Sequence, residues 1–129
     1  MARNCGVARS VRFVKSVPNR DLCRQLAESD VFVAHTEYPE FPKTVMEALW
    51  LGVPVVVNED QSRPVPELDG PWVRRVVNSA DGYGDAVGEL LEDADEREEI
   101  GRRGREFAET AFHPALVEAV AAELYAEFC

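Results

Sequence analysis

The chain has 129 residues, a formal net charge of −10 and a pI near 4.6. A chain of that size buries roughly two thirds of its unfolded surface, so one domain with a true hydrophobic core is expected over residues 1–129. The acidity is opposite to the basic footprint of a nucleic-acid binder, and no apolar run reaches the ~20 residues that span a bilayer, which excludes nucleic-acid and transmembrane roles as expectations.

Val11-Arg12-Phe13-Val14 is β-prone and predicts a first strand. Pro18 and Asn19 interrupt it, with Asn19 a candidate helix cap. Leu22, Cys23 and Leu26 then give an apolar face at helical spacing, ending near Ser29. Residues 31–34, Val-Phe-Val-Ala, predict a strand of the kind buried on both faces of a parallel sheet.

The stretch from His35 to Gly52 is the pivot of the sequence. A polar loop opens a helix whose first turn carries Pro42, Lys43 and Thr44, and proline suits a first helical position because its missing N–H has no partner to lose there. From Thr44 to Leu51 the helix is apolar almost all round and therefore buried, except at Glu47. A carboxylate in such a helix needs a partner. That partner is Lys43, four residues earlier, or something the protein binds. The unpaired first amides and the dipole make the start of this helix a natural anion site.

Gly52 and Pro54 end the helix, residues 53–57 read as the next buried strand, and Asn58-Glu59-Asp60-Gln61 as a polar loop. Residues 63–70 have room for one helical turn, 72–77 read as a strand and 83–92 as a helix. Residues 95–112 form a charged helix that Gly101 and Gly104 weaken. A last helix begins at His113-Pro114, with Val117, Val120, Ala121, Leu124 and Phe128 on one face. Alternation of strand and helix implies an α/β fold: a Rossmann-like parallel sheet with helices on both faces, ending in C-terminal helices. Met1-Ala2-Arg3-Asn4-Cys5 leads into no signal-peptide core, so a cytoplasmic location is expected. Cys5, Cys23 and Cys129 share no metal-ligand spacing and are expected as free thiols, with no metal site.

Several blocks, taken in order, resemble one family: Val17-Pro18 with Asp21-Leu22, the run 26–33, the run 41–49, Gly52-Val53-Pro54-Val55-Val56 and Val65-Pro66-Glu67-Leu68. They are similar to the donor-binding lobe of GT-B retaining glycosyltransferases of the group 1, or family 4, type. The resemblance implies a hexosyltransferase using a nucleotide diphosphate sugar as substrate, with no cofactor and no required metal. It places donor-binding roles on Phe41, Pro42, Lys43, Thr44 and Glu47: amides around Phe41, Lys43 and Thr44 toward the diphosphate, and Glu47 toward the ribose hydroxyls. The family's first acid falls on Pro39 and the following glycine on Glu40, so no catalytic residue is assigned, and Glu37, Glu40 and His35 stand as candidates. The resemblance also implies that the chain is short of the donor lobe's first strand and of the acceptor lobe, so that another lobe or chain holds the acceptor. Arg3, Arg9, Arg12 and Lys15 are not assigned to the basic loop that neutralises the diphosphate in the family.

Plainer readings stand beside these. Glu47 could simply pair with Lys43, in the less favourable orientation and for only ~0.3 kcal/mol. Lys43 reads equally as a solvated lysine, Phe41 as a plug under the loop, His35 as a hydrogen-bonded structural residue, and Glu67 as a helix-start carboxylate. The charged run 93–109 reads as a solvated face. The alternative function is a non-catalytic nucleotide-sugar-binding or interaction module derived from such an enzyme; a phosphoacceptor domain lacks the acidic cluster at strand ends.

Overall fold

The structure is a computed structural model that describes residues 6–37, 41–60 and 65–113, together with residues 115, 122 and 126. Pro39, Glu40 and the proposed apolar face of the last helix (Val117, Val120, Ala121, Leu124, Phe128) lie outside the described residues.

A three-stranded parallel sheet runs in the order β1 (Phe32–Ala34), β2 (Val55–Asn58), β3 (Arg74–Val76). Phe32 pairs with Val55, and Val56 in turn pairs with Arg74. Every residue of the central strand β2 is buried, as a run of valines between two neighbouring strands should be. The helices are α1 (Asn19–Ala27), α2 (Lys43–Trp50), α3 (Ala80–Glu92) and α4 (Ala94–Ala111). One face of the sheet, carrying Val55 and Val57, packs on Leu26, Val45, Leu49 and Ala108 from α1, α2 and α4. The opposite face, carrying Val56 and Val76, packs mainly on Ala86 and Leu90 of α3. The expected α/β architecture with helices on both faces is present.

Four local expectations change. Residues 11–14 form no strand: Val11 is extended, but the run is exposed, with Phe13 at 85%, and extended backbone without a ladder partner remains a loop. Asn19 is the first helical residue rather than the cap; Pro18 precedes it in extended conformation, and its carbonyl accepts from the Asp21 and Leu22 amides. That helix stops at Ala27, where the Ser29 hydroxyl donates to the Gln25 carbonyl. β1 is not buried on both faces, since Val33 is 48% exposed. It pairs with Val56 and so points to the α3 face, but α3 packs mainly on β2 and β3 and meets β1 through the Tyr83 hydroxyl, at the Ala34 carbonyl.

Two helices begin where serine and aspartate cap them. Ser79 accepts from the Gly82 amide, so α3 starts at Ala80 and not at residue 83, and Asp93 accepts from the Glu96 amide to start α4. Residues 66–68 form the expected single turn, and β3 begins only at Arg74.

Gly101 and Gly104 do not act as weak points. A Cβ at Gly101 would stand 2.2 Å from the Gly52 carbonyl oxygen, and one at Gly104 2.9 Å from a Leu49 methyl. Their bareness lets α4 lie directly on the end of α2. Gly52 itself has φ +70, the left-handed geometry that closes α2, with its amide on the Leu49 carbonyl and the Val53 amide on the Ala48 carbonyl.

Candidate functional site: the start of α2 at the carboxyl edge of the sheet

In open α/β sheets ligands bind beyond the carboxyl ends of the strands. Here that edge carries the loop from β1 to α2, the first turn of α2 and the end of β2. α2 starts one residue later than expected: Pro42 takes the cap position with ψ 138, and helical geometry begins at Lys43. The Pro42 carbonyl accepts from the Val45 and Met46 amides, at 3.1 and 3.3 Å, and no side chain caps the helix. The Lys43 and Thr44 amides thus have no hydrogen-bond partner among the described residues. Two open N–H groups at the positive end of a helix dipole favour an anion.

Glu47 lies one turn further in. Its side chain is 11% exposed against 72% for Lys43, and Lys43 Nζ stands 3.6 Å from Oε1. The pairing with Lys43 is therefore present, but it is loose and engages one oxygen. Oε2 is buried and has no hydrogen-bond partner among the described residues. A buried carboxylate oxygen left in that condition is unfavourable by itself. The other such atom, Arg75 Nε, belongs to a side chain already paired with Asp69.

The remaining candidates divide. Phe41 stacks on Phe112 with ring centroids 5.1 Å apart, and Phe112 meets Phe107 edge-on, so the half-buried Phe41 ring packs against the core. Thr44 is half-buried and Pro42 lines the turn. His35 is exposed with no side-chain hydrogen-bond partner among the described residues, which removes its reading as a hydrogen-bonded structural histidine. Glu37 is also exposed, and Glu40 lies outside the described residues. Glu67 is exposed in its short turn, where its carbonyl accepts from the Trp72 indole.

Sequence reasoning missed Asn58 and Tyr83. Asn58 was assigned to a polar loop, but it is the last residue of β2 and 5% exposed. Its carboxamide accepts from the Thr36 amide at 2.8 Å and donates to the Thr36 carbonyl at 2.9 Å. The Tyr83 hydroxyl lies 2.9 Å from the Ala34 carbonyl and 3.2 Å from Asn58 Oδ1. Burial pushes the Tyr83 phenol above its ordinary value, with the backbone N–H of Asn58 pulling the other way. An asparagine directly following a run of buried valines was the available signal.

Two surface grooves lie elsewhere. One of about 450 Å³ runs over Trp72 and Phe107, another of about 520 Å³ beside Arg74 and Glu96. Both are open and rimmed by side chains already in ion pairs, and neither includes a residue of α2. Among the described residues no helix is long and apolar enough to cross a membrane.

With this geometry in hand, the known proteins most informative about the chain can be set beside it. The glycosyl transferases group 1 family matches residues 1–107. Spore coat protein SA of Bacillus subtilis is 26% identical over 105 residues, covering 79% of this chain and 28% of that protein. D-inositol 3-phosphate glycosyltransferase of Corynebacterium aurimucosum is 30% identical over 110 residues, covering 84% of this chain and 26% of that one. The solved sucrose-phosphate synthase of Thermosynechococcus elongatus superposes with a TM-score of 0.83 over 98% of this chain and 32% of its own, at 22% identity, a likeness of fold. The chain thus spans less than a third of each of these relatives. A family match over most of the length, a parallel sheet of the same fold and an anion-ready helix start agree: the chain belongs to the group 1 glycosyltransferases.

Proposed function

We propose that this chain is the donor-binding part of a retaining glycosyltransferase that takes a sugar from a nucleotide diphosphate sugar in the cytoplasm. The acceptor is held by another lobe or chain, the part of the relatives' length that this chain does not span. One observation carries the reading: a buried, partnerless carboxylate oxygen on Glu47 sits one turn inside a helix whose first amides are open. Ribose hydroxyls would donate to Glu47, and the Lys43 and Thr44 amides would donate to the diphosphate. Negative charge grows on the diphosphate as the glycosidic bond breaks, so amides fixed before the reaction stabilise the transition state more than the ground state. The leaving diphosphate takes the proton from the incoming hydroxyl on the same face, with no covalent nucleophile on the protein. This chain's part is positioning and charge stabilisation.

Titration calorimetry of the chain with uridine, guanosine and adenosine diphosphates tests this. Binding of at least one, weakened tenfold or more by Glu47→Gln, is the expected result; no heat with any of them, for the chain alone and mixed with a candidate acceptor lobe, overturns the reading. Pro39 and Glu40 at the family's acid and glycine positions favour a second reading, a module that binds the donor without turnover. Nucleotide binding without donor hydrolysis or sugar transfer, after an acceptor lobe is added, selects it.

A further inference from the structure

We propose that Asn58 is a positioning residue for the donor site, holding the loop between β1 and α2 by its backbone, with Tyr83 locking it in place. The consequence for ligand binding rests on the donor-site reading above; the clamp itself does not.

Asn58 is the one buried polar side chain among the described residues that ends a strand, and both ends of its carboxamide go to Thr36. The pattern copies a backbone ladder: where the sheet hydrogen bonds between β1 and β2 stop, a side chain supplies the next donor and acceptor. The clamp is braced from α3, where the single Tyr83 hydroxyl proton is shared between the Ala34 carbonyl and Asn58 Oδ1. Asn58 and Val76 are register partners, so the Asn58 side chain lies on the α3 face, where Tyr83 comes down from the first turn of α3.

Thr36 is flanked by His35 and Glu37, both exposed. Pinning the backbone at 36 therefore fixes where the exposed candidates His35 and Glu37 on either side of it project at the carboxyl edge of the sheet. Backbone at Thr36 without such an anchor would sample more conformations, and ordering it on binding would subtract from affinity. The hydrogen bonds are partly buried, and leaving the Thr36 amide or carbonyl without a partner there is unfavourable to the extent that water cannot replace it.

Amide exchange followed by NMR on the wild-type chain, Asn58→Ala and Tyr83→Phe, with calorimetry against the same nucleoside diphosphates, decides it. In Asn58→Ala the Thr36 amide exchanges about tenfold faster or more, whereas amides of Val56, Leu90 and Ala108 keep wild-type rates, and the diphosphate Kd rises about tenfold. Tyr83→Phe keeps the ring in the core and gives a two- to fourfold change in the same two readouts, about what one shared hydrogen bond supplies; it keeps the test decisive if Asn58→Ala fails to fold. A rise in exchange across Val56, Leu90 and Ala108 as well, or unchanged Thr36 exchange, overturns the proposal. Faster Thr36 exchange with an unchanged Kd also overturns it, because the loop would then be held without consequence for the site. A wild-type chain that binds no diphosphate sinks the donor-site reading instead, and Thr36 exchange still decides the clamp.

Discussion

Glu47 is held where stability alone would not put it. Its carboxylate has one loose neighbour in Lys43 and one oxygen with none, inside a helix that is otherwise apolar. A buried charge in that condition costs more than an unbranched apolar side chain of similar length, which helices also favour. Glu47→Met is therefore expected to raise stability by about 1 kcal/mol while weakening nucleoside diphosphate binding tenfold or more. Urea denaturation beside calorimetry checks it; a clear loss of stability would mean that the acid is structural. The oddity of this residue was readable from sequence because its context is local, an acid within an apolar run. Asn58 was harder to read: its place directly after a run of valines was the one local sign, while its partners Thr36 and Tyr83 are 22 and 25 residues away and the Asn-Glu-Asp-Gln stretch points to a loop.

Between elements, the contact of α2 with α4 turns on missing side chains. Gly101→Ala drives a methyl into the Gly52 backbone, which cannot step aside, and is expected to cost about 2–4 kcal/mol, beyond the usual range for overpacking because the obstacle is main chain. Gly104→Ala meets the end of a flexible leucine and costs less, about 1 kcal/mol. Gly84→Ala and Gly88→Ala on α3 meet open space and are expected to stabilise by about 0.5–1 kcal/mol. Urea midpoints for the four variants give the ranking directly, and an equal effect at 84 and 101 would refute it. Helix propensity treats all these glycines alike, which is why the sequence marks Gly101 as a weakness. Periodicity located the helices well, since an apolar stripe is a local pattern. It failed at 11–14, where β-prone residues have the right chemistry and no ladder partner among the described residues.

Across the molecule, charge is concentrated on outer faces. Along α4, Arg102 pairs with Glu99 and Glu106, Arg103 with Glu99, and Arg105 with Glu109, a solvated face as the sequence suggests. The hydrogen bond from Arg102, helped by the charges of Arg102 and Arg103, holds the Glu99 carboxyl below its ordinary range. A carboxyl lowered in the folded state contributes stability above its ordinary pKa and loses it as pH falls through the lowered one. Arg102→Met is thus expected to melt slightly earlier than wild type at neutral pH and low salt, with the gap closing in acid and in molar salt. Thermal scans over pH measure it; a gap that persists at the acid end would assign the effect to the arginine's alkyl packing.

The uncovered rim of β1 gives the acidity of the whole chain a second meaning. β1 is an outer strand of the sheet among the described residues, and with Val33 at 48% exposure, and Phe13 at 85% elsewhere, it is the kind of margin on which copies can pair. With 24 acidic against 14 basic residues, copies repel one another before their margins can meet. The same surplus of carboxylates thereby acts as a colloidal spacer between copies whose outer strand carries a half-exposed valine.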